Sequence, residues 1–76
     1  MALDPVRAAR VRRMLPDKTT WPGTVLAMKR IEEGCIVEFG DIRSSTAPFF
    51  IHLGPGRAPL RFDTVDELIA AGWAVD

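Results

Sequence analysis

Six prolines and six glycines are scattered along the whole chain, and they set the length of everything it can build. Proline cannot continue a helix interior or a central strand, and glycine weakens both. The elements must therefore be short, and they must stabilise one another by packing. At 76 residues the chain is expected to form a single domain, 1–76. Such a domain buries roughly 60% of its unfolded surface around one small core. No internal repeat or low-complexity block interrupts this reading.

Asp4-Pro5 is a helix opening. Asp accepts a hydrogen bond as N-cap, and Pro fits the first helical position, where its missing N–H costs nothing. Val6–Leu15 contains strong helix formers, and Pro16 stops the run. At 100° per residue Ala8, Val11 and Leu15 share one side, while Arg7, Arg10 and Arg13 line the other and Arg12 sits on the flank. Residues 1–16 thus read as a basic amphipathic helix too short to be stable alone.

Residues 24–62 read as an antiparallel sheet. Thr24–Ile31 is ambiguous: Thr24 and Gly34 would frame a helix, but the alternation of Val25, Ala27 and Ile31 with their neighbours suits a strand. The strand is favoured because Glu32-Glu33-Gly34 fits a three-residue hairpin loop. Cys35, Val37 and Phe39 then form one face of the next strand, expected to be the core face, with Ile36 and Glu38 on the other. In Ala47–Leu53, Phe49, Ile51 and Leu53 alternate with Phe50 and His52. Gly54-Pro55-Gly56 is a turn, and Pro59 consigns Leu60–Phe62 to an edge.

Thr64-Val65-Asp66-Glu67 is a capping box opening a helix over 64–72, which Gly72 ends. Trp73 and Val75 continue extended, as a final strand or a flap. The expected fold is α+β: an N-terminal helix, an antiparallel sheet of three to four strands, and a C-terminal helix packed on the sheet.

Ten basic and ten acidic side chains cancel, but not locally. Residues 1–31 hold seven basic groups against two acids, and residues 32–76 hold three against eight, a split of +5 and −5. Such asymmetry points to a charged partner or to internal pairing. A hydrophobic fraction of 47% with 26% charged residues is that of an ordinary globular chain. No apolar run approaches the roughly 18 residues that span a bilayer, so no membrane association is expected. Met1–Pro5, with four arginines between 7 and 13 and no apolar stretch after them, does not read as a secretory signal. The lone Cys35 and the absence of a Cys/His cluster suit a cytoplasmic setting without metal or cofactor. Eight arginines against two lysines, with abundant Ala, Gly and Pro, fit a high-GC bacterial or phage source.

Three groups of residues bear on function. Arg7, Arg10, Arg12 and Arg13 are candidate contacts for a protein partner or for phosphates, the latter binding weakly and with strong salt dependence. The bland reading is a solvated face, or arginines paired with the acidic half. Ile36, Phe50 and His52 are a candidate exposed sheet-face patch, which Trp21 and Trp73 would join unless they cap the core. Cys35 and His52 are the only candidates for a nucleophile and base, but the alternation puts them on opposite faces, and Cys35 reads as a small buried hydrophobe. Gly54-Pro55-Gly56 lacks the Gly-Lys-Ser/Thr ending of a phosphate loop, and the acids have no calcium-loop spacing. The expected function is therefore a small non-catalytic interaction or regulatory module. It would bind a protein partner or itself, with no small-molecule ligand; the alternative is nucleic-acid binding through the arginine-rich helix.

Overall fold

A computed structural model describes residues 3–76. Helix α1 spans Pro5–Met14; a short 3-10 turn, Lys18–Thr20, follows. Strands β1 (Leu26–Glu32), β2 (Cys35–Ile42), β3 (Phe49–Ile51) and β4 (Leu60–Phe62) lead into helix α2 (Val65–Ala70) and strand β5 (Trp73–Val75). The fold is α+β, as the order of elements predicts. The accessible surface of 4633 Å² matches the roughly 4,600 Å² expected of a compact 8.4 kDa chain.

The capping signals act where expected. Asp4 accepts a hydrogen bond from the Arg7 backbone N–H at 3.0 Å, and Pro5 opens α1. Ala8, Val11, Met14 and Leu15 are buried, so the helix docks through the predicted stripe. At its C-terminal end the Trp21 indole N–H donates to the Met14 carbonyl at 2.7 Å. This carbonyl at the helix end also accepts from the Asp17 N–H at 3.1 Å and the Thr20 hydroxyl at 3.3 Å, and the indole bond fixes the buried Trp21 ring against the end of α1. At α2 the Thr64 hydroxyl accepts from the Glu67 N–H at 3.1 Å, while the Glu67 carboxylate accepts from the Asp63 N–H at 3.0 Å.

The ambiguous segment 24–31 resolves as strand from Leu26 onward, continuing to Glu32, with Thr24 and Val25 in the bend before it. β1 is central in a three-stranded sheet of order β2-β1-β5, antiparallel to both neighbours. β3 and β4 form a second antiparallel pair. Reciprocal backbone hydrogen bonds between Asp41 and His52, at 3.0 and 2.8 Å, tie β3 to β2. The strands run β5-β1-β2-β3-β4 through this link, so five short strands in two sheets replace the expected three or four. Gly40 makes the junction possible. A Cβ built there would lie 2.5 Å from an Ile51 methyl and 3.1 Å from the His52 carbonyl.

The β1–β2 hairpin corrects two details. Its loop has two residues, Glu33 and Gly34, at φ 52° and 80°, the signature of a type I′ turn. The pairing then slips: Arg30 faces Glu38, but Ile31 faces Ile36, which leaves Val37 as an extra residue. This β-bulge breaks the two-residue alternation. Leu26, Met28 and Ile42 face the core, and their register brings Gly40 and Glu38, not Phe39, to the inner side. Cys35, Val37 and Phe39, expected inside, are exposed.

The core gathers α1, both tryptophans, Leu26, Met28, Ile42, Phe49, Ile51, Leu68, Ile69 and Val75. Trp21 and Trp73 thus belong to the interior rather than to a surface patch. Trp73 is fully buried, and its indole N–H has no hydrogen-bond partner among the described residues.

Candidate interaction surfaces

Folding brings the two oppositely charged halves together. Arg12 on α1 reaches Asp66 on α2 at 2.6 Å, Lys29 lies 3.7 Å from Asp76, and Arg30 contacts Glu38 at 2.9 Å and Glu32 at 3.1 Å. Each of these pairs joins residues 1–31 to residues 32–76. Most of the +5/−5 asymmetry therefore ends in contacts within the molecule.

Glu38 is the most enclosed of these acids. Its carboxylate accepts from Arg30 at 2.9 Å and pairs with Arg57 at 3.1 Å, which pins the turn after β3 against the sheet. The hydrogen bond from Arg30 holds the Glu38 carboxyl below its ordinary range; partial burial works the other way and is outweighed. The same hydrogen bond, with that to Glu32, raises the Arg30 guanidinium. At α1 the Arg7 backbone N–H, helped by the Arg7 side chain, lowers Asp4.

The arginine ridge is divided. Arg7 is held by Asp4 at 2.6 Å and Arg12 by Asp66. Arg10 and Arg13 have no ion-pair partner among the described residues, and with Pro5, Val6 and Ala9 they line a shallow hollow along the outward face of α1. All five belong to one convex helix, which cannot enclose a small molecule.

The other candidate surface is the side of the sheet away from the helices. Register places Phe39 opposite Lys29, Ile36 opposite Ile31 and Phe50 opposite Arg61. The Asp41–His52 bridge sets His52 on the same side, half-buried. Ile36, Phe39 and Phe50 are 49%, 59% and 40% exposed. The structure thus puts Ile36, Phe50 and His52 on one face and adds Phe39, which the alternation had assigned to the core; they are spread along it, with Ile36 about 17 Å along β2 from the Asp41–His52 bridge. The bulge at Val37 is what moves Phe39, and no residue type in the sequence announces it. Charges on this face are balanced locally: Lys29 with Asp76, Arg43 with Asp41, Arg61 with Asp63.

Cys35 and His52 are not brought together. His52 bridges to Asp41, six residues along β2 from Cys35, a separation of about 20 Å at strand rise. Among the described residues no group of three or more His, Cys, Asp or Glu converges as a metal site. Nor, among them, is any helix long and apolar enough to cross a membrane. Comparison with protein families, curated proteins and solved structures gives no match for this chain.

Proposed function

We propose that this chain is a small non-catalytic protein-interaction module of the cytoplasm, and that the outer face of its sheet receives the partner. The observation that carries the proposal is the exposure of Ile36, Phe39 and Phe50 on a face that neither helix covers. Apolar anchors within a polar rim are the composition of protein interfaces. The local balance of charge on this face favours a protein surface with an apolar centre over a polyanion, which needs an excess of cations. An exposed single cysteine suits a reducing compartment. The nucleic-acid alternative rests on four arginines, of which two are engaged in ion pairs.

Capture from a lysate of the source organism tests this reading, with the wild-type chain immobilised beside the Phe39→Ser/Phe50→Ser variant. A protein retained by the first and lost from the second is the expected result. Equal retention by both, or tight binding of labelled DNA at moderate salt, would sink it.

A further inference from the structure

Three charged side chains have no partner among the described residues. Of the ten basic and ten acidic residues, seventeen are engaged among the described residues. Fourteen of them form ion pairs. Lys18 lies over the Trp21 ring, Asp17 accepts from the Thr19 N–H, and Glu67 accepts from the Asp63 N–H. The remaining three are Arg10 and Arg13 on α1, and Glu33 at the tip of the β1–β2 hairpin.

Arg10 and Arg13 sit beside exposed apolar surface, and the hairpin that carries Glu33 has an exposed apolar residue on its second strand. Val6, Arg10 and Arg13 fall at i, i+4 and i+7 and so share one stripe of α1. Val6 is 80% exposed, the highest value of any large hydrophobic residue described. Val37, the bulge residue, lies about 10 Å down the hairpin from the Glu33–Gly34 tip at strand rise, beyond the Glu32–Cys35 and Ile31–Ile36 pairs, and is 46% exposed. Glu33 is also held at φ 52°, a conformation that favours Asn, Asp or Gly at this turn position. The Glu33 carboxylate, carried at this exposed turn position, has no partner among the described residues.

We propose that the hairpin tip of a second copy of this chain seats on the α1 stripe, with Glu33 between Arg10 and Arg13 and Val37 against Val6. The cationic-apolar stripe and the anionic-apolar tip complement each other in charge and in character. Both are left open by the same fold, so every copy carries both halves of the contact. Made reciprocally, the contact closes a pair; made head to tail, it continues. It is a second surface, separate from the outer sheet face, and does not rest on the partner reading above.

Sedimentation velocity at hundreds of micromolar protein tests the contact in wild type, Arg10→Glu/Arg13→Glu and Glu33→Arg, with circular dichroism confirming the fold of each. Arg10→Gln/Arg13→Gln replaces the reversal if that variant does not fold. Wild type is expected to associate, with a dissociation constant that rises roughly tenfold between 50 mM and 500 mM salt as screening grows. Each charge reversal alone is expected to give monomer. An equimolar mixture of the two variants, and a single chain carrying all three changes, are expected to restore the wild-type mass, whether that mass is two copies or more. The contact is overturned by monomeric wild type at low salt, by association that ignores either reversal, or by failure of the swap to rescue. Phe39→Ser/Phe50→Ser is expected to leave self-association unchanged, so loss of this contact and loss of the sheet-face reading are told apart. Duplex DNA binding abolished by Arg10→Glu/Arg13→Glu, in a chain that stays monomeric, would assign the stripe to phosphates instead.

Discussion

At the scale of the residue, Glu38 shows what a carboxylate does when a bulge turns it inward. A buried-side acid must be paired, because an isolated one is costly to desolvate. Arg30 and Arg57 supply the pairing, one from the adjacent strand and one from a distant turn. Because pairing lowers the folded-state pKa below the ordinary 4.5, it stabilises the fold at all pH values above about 4.5. That stabilisation is lost as pH falls through the lowered folded value, and Asp4 contributes in the same direction from its ordinary 3.8. Arg30, raised from an already high value, stays charged throughout. Urea midpoints measured from pH 6 to pH 3 should therefore fall most steeply below 4.5. Glu38→Gln should flatten that fall while lowering the midpoint at pH 6. A variant with the wild-type pH profile would remove Glu38 from this role.

At the scale of the element, β3 lies against β2 only because position 40 lacks a side chain. A branched residue there meets an Ile51 methyl and the His52 carbonyl at once. Gly40→Val is expected to cost about 1–3 kcal/mol by overpacking, read as a drop in thermal midpoint. The double change Gly40→Val/Ile51→Ala should recover part of the loss if the methyl is the main obstacle. How each element announces itself differs in kind. Asp4-Pro5 and Thr64 with Glu67 are local devices whose partners lie within three or four residues, so both helices were legible from spacing alone. The strand pattern misled at β2 because a bulge adds a residue without changing residue type, which reverses the face of all that follows. Ile36 and Phe50 could be placed outside by alternation, but Phe39 could not. Neither could the Arg12–Asp66 pair, whose members are 54 residues apart and meet only after both helices dock.

At the scale of the whole molecule, the first helix is a part of the core and not an appendage. Burying Val11, Met14 and Leu15 is worth roughly 5–9 kcal/mol, against a total stability of roughly 4–11 kcal/mol for a chain of this length. Removal of residues 1–16 is therefore expected to abolish cooperative unfolding. The near-ultraviolet circular dichroism of Trp21 and Trp73 should collapse with it. A shortened chain that kept a sharp transition would show that the strands and α2 suffice. The charge split fits the same picture, since three of the basic groups of residues 1–31 find their acids in the other half.

β5 also has a consequence for how the molecule is made. Met28 pairs with Val75 and Arg30 with Trp73, so the central strand lacks one of its two neighbours until β5, more than forty residues further along the chain, arrives. At ribosomal speeds of about 5–20 residues per second, roughly 2–9 s separate the synthesis of β1 from that of β5. During that interval one edge of β1 is open, and the apolar stripe of α1 lacks Trp73 to rest on. Pairing along that edge of β1 can form only after residues 73–75 have been made, so completion of the three-stranded sheet is expected to follow the synthesis of β5 and not that of the β1–β2 hairpin.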